Sequence, residues 1–204
     1  MNRYFIEVAY MGGRYAGFQR QENAPSIQWE VESAMEKILR VKIMLTGSSR
    51  TDTGVHALQN FFHFDVENAL NLSIVYNLNA VLPADIAIKG LYPVADEAHC
   101  RFDAIARKYA YHVCMEKDPF RVGRAYFFPY RLDIDAMQEA ARVLLSYTDF
   151  TSFSKRNTQV KTFICRVEQS YWEERENGFV FHVRANRFLR GMVRGLTGTM
   201  LKVG

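Results

Sequence analysis

The sequence predicts an α+β fold of two similar halves, each with its strands and helices in the order β-α-β-β-α-β. Three observations support this fold: alternating apolar residues that indicate strands, apolar residues three or four apart that indicate helices, and the same order of elements in both halves. Mainly antiparallel sheets of the split, ferredoxin-like kind are therefore expected. The 204 residues are 49% hydrophobic, which is enough to build a substantial core.

The first half, residues 1–100, begins with a strand over 3–10, where Tyr4, Ile6, Val8 and Tyr10 share one face. Ser26 is the predicted N-cap of a helix whose apolar residues recur at helical spacing. The remaining predicted elements are a strand over 41–46, a strand over 58–66, a helix over 72–82 and a strand over 86–94.

The second half, residues 101–204, repeats this order except for its last strand. A strand is predicted over 108–115, and Asp133 is expected to cap the next helix. Strands over 162–172 and 179–185 surround an Asn177-Gly178 turn, which is a strong hairpin signal. A helix over 188–201 closes the half. No residues follow that could form a sixth strand, so the last C-terminal strand is expected to be missing.

The polar loop over residues 47–57 (GSSRTDTGVHA) lies between two predicted strands. Such loops often carry functional residues. Here Asp52 lies close in sequence to Arg50 and His56. A plain turn with Gly54 at positive φ would account for the same residues without any chemistry. Residue types alone favour that simpler interpretation.

The order of residues in this loop resembles the signature of the TruA family of tRNA pseudouridine synthases. Five further segments are similar to family landmarks, in family order: residues 10–21 (YMGGRYAGFQRQ), 82–86 (LPADI), 100–104 (CRFDA), 107–111 (RKYAY) and 185–194 (ANRFLRGMVR). A lone RTD would carry little weight, whereas matches along nearly the whole chain are specific. The resemblance implies an enzyme that isomerises uridine to pseudouridine on the 3′ side of the anticodon stem-loop of tRNA.

The resemblance also implies roles for individual residues. Asp52 would be the nucleophile, and Arg50 and Arg194 would pair with it or with a nearby phosphate. Tyr109 would stack on the flipped uracil and assist proton removal from the base carbon. Without the resemblance, Arg194 would be interpreted as a solvated helix residue and Tyr109 as a half-buried strand residue. The other residues expected to bind substrate are Thr53, Gly54, Val55, His56, Arg107 and Arg187.

The charge distribution suits an RNA partner. Residues 1–100 carry 8 Lys and Arg against 11 Asp and Glu, whereas residues 101–204 carry 18 against 11. The second half would supply most of the attraction for a polyanion, although a solvated surface would explain the same charge. The family resemblance implies that the cleft between the halves is basic. Candidate phosphate contacts, beside the aromatic residues Tyr15 and Phe18, are Arg14, Arg20, Arg107, Lys108, Lys155, Arg156, Arg187 and Arg190.

No cofactor, metal or membrane is expected. The sequence has no glycine-rich phosphate loop of the P-loop or dinucleotide type. His56 and His63 have no partners at zinc-like spacing. Cys100, Cys114 and Cys165 show no metal or disulfide spacing and are expected to be mostly buried free thiols. Without a signal peptide or a transmembrane run, the protein is expected to be soluble and cytoplasmic.

Two other function classes stay open. One is a catalytically silent RNA-binding module of the same fold. The other is a hydrolytic glycosidase, which would use two carboxylates where the signature loop offers one. The set Arg50, Asp52, Tyr109 and Arg194 favours the synthase, because binding alone needs no carboxylate beside a phosphate. The resemblance further implies a homodimer, with tRNA lying across both subunits.

Overall fold

The chain forms two compact units, Met1–Ala104 and Ile105–Gly204, in a computed structural model that describes residues 1–155 and 160–204. Each unit contains a four-stranded, mostly antiparallel sheet. Within the described residues each unit also contains two α-helices. The predicted α+β fold with two ferredoxin-like halves is confirmed. Arg156, one of the predicted phosphate contacts, lies outside the described residues.

The first unit builds its core between one sheet and two helices. Its elements are β1 (Asn2–Tyr10), α1 (Ile27–Leu39), β2 (Thr46–Gly47), β3 (Ala57–Val66), α2 (Ile74–Val81) and β4 (Ile86–Val94). The strand order is β2-β3-β1-β4, with every pair antiparallel. The face of β1 from Tyr4 to Tyr10 is buried, as its alternation predicts. Ser26 caps α1 by accepting a hydrogen bond from the N–H of Trp29 at 3.3 Å.

A strand was predicted over 41–46, and this prediction is wrong for 41–45, where the chain forms no strand. Helix side chains bind its backbone instead. The C=O of Leu45 accepts from Gln28 Nε2 at 2.8 Å, and its N–H donates to Glu32 Oε1 at 3.1 Å. Glu32 also binds Arg20 at 3.0 Å. Only Thr46–Gly47 remains to pair with β3.

The second unit has the same layered plan. Its elements are β5 (Arg107–Cys114), β6 (Tyr126–Phe127), α3 (Ile134–Val143), β7 (Val167–Arg175), β8 (Gly178–Ala185) and α4 (Met192–Val203). The strand order is β6-β5-β8-β7, and only β5 and β6 are parallel. Among the described residues no strand follows α4. The short β6, which the sequence did not predict, lies beside β5 as β4 lies beside β1.

Two predicted boundaries around the hairpin of the second unit are wrong. Strand β7 begins at Val167, because over 162–166 the chain makes only an isolated bridge between Asp149 and Ile164. The hairpin turns at Glu176 and Asn177, one residue earlier than expected. Gly178 instead belongs to β8, where a Cβ would overlap the C=O of Val113 on β5. Glycine at that position therefore permits the close approach of the two strands.

The closing helix begins at Met192 rather than at residue 188. Its N-cap is Gly191, which adopts a left-handed conformation with φ +77. The preceding turn is held by the N–H of Lys155, which donates to the C=O of Arg190 at 3.2 Å. Left-handed backbone cannot continue an α-helix, so the helix starts one residue later.

The three cysteines are free and buried, as expected. Cys100 Sγ lies 3.2 Å from Nδ1 of His63, which is also buried. Of the helices that the structure describes, none combines the length and the apolar character needed to cross a membrane.

His63 is expected to make the stability of the first unit depend on pH. Burial lowers the pKa of His63 and the nearby His99 lowers it further, with smaller effects from Arg3, Asp65 and Asp103. The pKa of His63 in the unfolded chain is close to the ordinary 6.5. As the pH falls through that value, the unfolded state therefore binds the proton first and the free energy of unfolding decreases.

Replacing His63 by Gln removes this titration while leaving a polar side chain near Cys100. We expect the free energy of unfolding of His63→Gln to fall less than that of the wild type between about pH 7 and pH 5. Urea unfolding at each pH measures the difference. Identical pH profiles for the two proteins would contradict the assignment.

Candidate active site

Asp52 lies on a tight turn between β2 and β3. The N–H of Val55 donates to the C=O of Asp52 at 3.2 Å, and Gly54 has φ +79. A positive φ at this position of a turn favours glycine. The predicted turn is thus correct for the backbone. In this loop Asp52 is half-buried and Arg50 is exposed.

The end of β1 and the segment that follows it hold the residue before Asp52. Tyr10 Oη lies 2.8 Å from Thr51 Oγ1, and the N–H of Phe18 donates to the C=O of Thr51 at 3.1 Å. Both the side chain and the backbone of Thr51 are therefore bound. Because Asp52 is the next residue, its Cα position is restricted from this side.

Gly12 holds the loop on the other side of Asp52. Its N–H donates to His56 Nδ1 at 2.9 Å. A Cβ at Gly12 would overlap the C=O of Val55 and lie 2.7 Å from its carbonyl carbon. Only glycine allows this contact between the two backbones. Accepting the Gly12 hydrogen bond leaves Nε2 to carry the proton of a neutral His56 ring.

A buried asparagine on β3 joins the loop to the sheet. Asn60 Oδ1 accepts from Ser48 Oγ at 2.8 Å and from Ser49 Oγ at 3.1 Å, while its Nδ2 donates to Tyr10 Oη at 3.2 Å. Sequence reasoning missed Asn60. The available signal was its position, because Asn60 shares the core-facing side of β3 with Phe62 and yet is polar.

Asp85 fixes the segment that holds the loop. Tyr15 Oη donates to Asp85 Oδ1 at 2.7 Å, the N–H of Met11 donates to the Asp85 C=O at 2.8 Å, and Arg14 forms an ion pair with the carboxylate at 3.4 Å. Burial, together with the Asp85 hydrogen bond, raises the pKa of Tyr15. Tyr15 and Phe18 are 3% and 1% exposed, so both rings belong to the core beneath this segment.

In the second unit, the segments over 107–111 and 185–194 adjoin each other. Arg107 pairs with Ala185 across β5 and β8, and its side chain donates to the C=O of Asn186 at 3.1 Å. The half-buried Tyr109 packs edge-to-face on Phe188, with ring centroids 5.1 Å apart. The two segments named from the sequence are therefore in direct contact within this unit.

Arg194 lies on the first turn of α4 and lines an open pocket of about 310 Å³. Lys155 and Arg190 line the same pocket, and none of the described residues that line it is acidic. Burial raises the pKa of Tyr111, with Tyr126 acting in the same direction and the charge of Arg194 in the opposite one. Three cations around one pocket suit a phosphate ligand.

The predicted site residues thus fall into two sets. Arg50, Asp52, Thr53, Gly54, Val55 and His56 share one loop of the first unit, whereas Arg107, Tyr109, Arg187 and Arg194 belong to the second unit. In the part of the chain that the structure describes, no three His, Cys, Asp or Glu side chains are grouped so that they could hold a metal ion.

A family model described as tRNA pseudouridine synthase matches residues 6–103 and 140–204. The matched residues include Asp52, Arg50, Arg187 and Arg194. Tyr109 lies in the stretch between the two matched parts.

Curated relatives cover that stretch as well. A tRNA pseudouridine synthase A of Parabacteroides distasonis is 45% identical over all of this chain and 82% of the relative. The protein of the same name from Bacteroides thetaiotaomicron is 45% identical over all of the chain and 77% of the relative. That of Staphylococcus aureus (strain MRSA252) is 36% identical over 99% of the chain and 78% of the relative. The chain belongs to the tRNA pseudouridine synthase family.

Proposed function

We propose that this chain isomerises uridine to pseudouridine in tRNA, with Asp52 as the nucleophile. The observation that carries the proposal is the position of Asp52. In this member of the family, the carboxylate lies on a turn that is held on both sides, at Thr51 by Tyr10 and Phe18 and at His56 by Gly12. A fixed and partly exposed carboxylate can reach a substrate atom without first reorganising the loop.

The isomerisation requires one bond to break and another to form. The Asp52 carboxylate adds to C1′ of the ribose as the bond from C1′ to N1 of uracil breaks. The base then rotates, and its C5 attacks C1′ and releases the carboxylate. Finally, C5 loses its proton and N1 gains one. The reaction has no net oxidation or reduction, so it requires no redox cofactor.

The remaining predicted residues receive roles from this chemistry. Arg50 and Arg194 neutralise the carboxylate or an adjacent phosphate, and Tyr109 stacks on the flipped uracil. The edge-to-face contact with Phe188 supports this role, because it fixes the plane of the Tyr109 ring. The other residues proposed to bind substrate are Thr53, Gly54, Val55, His56, Arg107 and Arg187.

Phosphate contacts are proposed for the basic second unit. If Lys155 or Arg187 contacts a phosphate, replacing it by Ala should reduce the slope of log Kd against log salt by about 0.7–0.9. Lys42→Ala is the control, since Lys42 is an exposed lysine of the acidic first unit. Titrations at several salt concentrations measure the slope. Wild-type slopes for both variants would remove these residues from the tRNA contact surface.

The 3′ side of the anticodon stem-loop is the proposed target, and a homodimer the proposed assembly. Residues 120–130 support an interface, because several of their large apolar side chains are exposed: Phe120, Val122, Tyr126, Phe127 and Tyr130. We expect sedimentation at micromolar concentration to show a dimer. A stable monomer would contradict the proposed assembly.

The function is tested by incubating the protein with unmodified tRNA. Isomerisation leaves the mass unchanged, so pseudouridine must be detected by chemical labelling or by chromatography of the nucleosides. We expect pseudouridine on the 3′ side of the anticodon stem-loop. Tight binding of tRNA without any pseudouridine would instead favour the silent RNA-binding module.

A further inference from the structure

The loop that carries Arg50 and Asp52 is tied to the sheet by two polar side chains, Tyr10 and Asn60. Both are buried, with 4% and 5% of their surface exposed. They lie on the neighbouring strands β1 and β3, at the end of the sheet next to the loop, where Tyr10 pairs with Ala57. Neither residue is in the set of residues proposed above for catalysis or substrate binding.

The hydrogen bonds run from the strands to both sides of Arg50. On one side, Asn60 binds the hydroxyls of Ser48 and Ser49 and also donates to the C=O of Ser49 at 3.4 Å. On the other side, Asn60 donates to Tyr10 Oη, which is bonded to Thr51 Oγ1. The residues immediately before Arg50 and immediately before Asp52 are thus fixed by one network.

A network of this kind needs an explanation, because burying polar groups is unfavourable unless every partner is present. Most of the other core-facing residues of the same two strands are apolar. Ile6 and Val8 on β1, and Phe62 and Phe64 on β3, are almost fully buried. Tyr4 on β1 also carries a hydroxyl, but it binds the N–H of Leu70, away from the loop. The core-facing polar side chains of Asn60 and Tyr10 lie where the sheet meets the loop.

We propose that Tyr10 and Asn60 are positioning residues for the reaction. Tyr10 acts through Thr51 on the backbone of Asp52, and Asn60 acts through Ser48 and Ser49 on the backbone of Arg50. The inference rests on the proposed function, because it assumes that Asp52 and Arg50 act on the substrate. A displacement of about 1 Å at a reacting group can lower a rate by about 100-fold.

The test compares two buried tyrosines on the same face of β1. Tyr10→Phe removes the hydroxyl bonded to Thr51 and keeps the ring that packs near Phe18 at 5.9 Å. Tyr4→Phe is the matched control, because Tyr4 is equally buried and its hydroxyl accepts from the N–H of Leu70 at 2.9 Å, away from the loop. Tyr10→Phe loses the hydrogen bonds to Thr51 and Asn60, and Tyr4→Phe loses the one to Leu70, so both variants are expected to melt at a lower temperature.

Their rates are expected to differ. We expect Tyr10→Phe to lower the single-turnover rate of pseudouridine formation about tenfold or more, with little change in tRNA affinity. Tyr4→Phe should keep the wild-type rate. Thr51→Val, which removes the other hydroxyl of the pair, should match Tyr10→Phe, and Thr51→Ser should restore the rate. In the double variant Tyr10→Phe/Thr51→Val the two losses should not fully add, since both single changes remove the hydrogen bond between Tyr10 and Thr51.

Asn60→Leu extends the test to the other end of the network. It keeps the size of the side chain and should lower the rate at least as much as Tyr10→Phe. If Tyr10→Phe and Tyr4→Phe have equal rates at temperatures where both are folded, the two residues are structural only and the inference fails. If the wild-type protein forms no pseudouridine, the proposed function fails instead.

Discussion

Asn in place of Asp52 is expected to abolish pseudouridine formation while leaving tRNA affinity nearly unchanged. The turn should persist, because its hydrogen bond runs from the N–H of Val55 to the backbone C=O of residue 52. The amide has the shape of the carboxylate but cannot act as the nucleophile. Each ~1.4 kcal/mol of lost transition-state stabilisation is a tenfold loss of rate, so the loss should span several orders of magnitude.

The measurement is single-turnover pseudouridine formation with saturating enzyme, together with direct titration of tRNA. Asp149→Asn serves as a control for the same chemical change, since the Asp149 side chain accepts hydrogen bonds from Thr151 on the surface of the second unit. If Asp52 did no more than stabilise the turn, its replacement would change stability by about 1 kcal/mol and leave the rate intact. A normal rate in the Asp52→Asn enzyme would refute the proposed mechanism.

Local sequence patterns correctly predicted those strands whose backbone pairs mainly with other strands. Strands β1, β3 and β4 were predicted within one residue because alternation is set by the chain itself. The segment over 41–45 has equally apolar residues, but Gln28 and Glu32 bind its backbone at Leu45. That competition comes from a helix more than ten residues away, so no local pattern could show it.

In the candidate site, too, local features were predictable and contacts between distant residues were not. The turn at Asp52 was predictable, because Gly54 satisfies a local conformational need. Tyr15 and Phe18 were named only as aromatic residues beside candidate phosphate contacts, and the sequence did not indicate that both are buried. In the structure, Phe18 stacks on Phe62 with ring centroids 4.4 Å apart, and Tyr15 reaches Asp85. These contacts depend on how the segment folds back onto the sheet, which residue types alone do not encode.

Alanine at Gly12 is expected to have the second-largest effect of the substitutions considered. The backbone of Gly12 touches the C=O of Val55, so a Cβ must push the loop away from β1. The N–H of Gly12 would move with it and weaken its bond to His56. Asp52 lies inside this loop, and a displacement of about 1 Å should lower the rate of pseudouridine formation about 100-fold. Overpacking should also lower the free energy of unfolding by about 1–3 kcal/mol.

Alanine at the adjacent Gly13 is the control for any general effect of replacing glycine in this short helix. Gly13 belongs to the same short 3₁₀ helix, Gly12–Arg14, and a Cβ there would meet no atom within 4 Å. Gly13→Ala is therefore expected to keep both the wild-type rate and the wild-type stability. The two variants differ by the position of a single methyl group, which makes single-turnover rates and urea unfolding directly comparable. Equal rates for Gly12→Ala and Gly13→Ala would show that the contact with Val55 does not hold the loop in its active geometry.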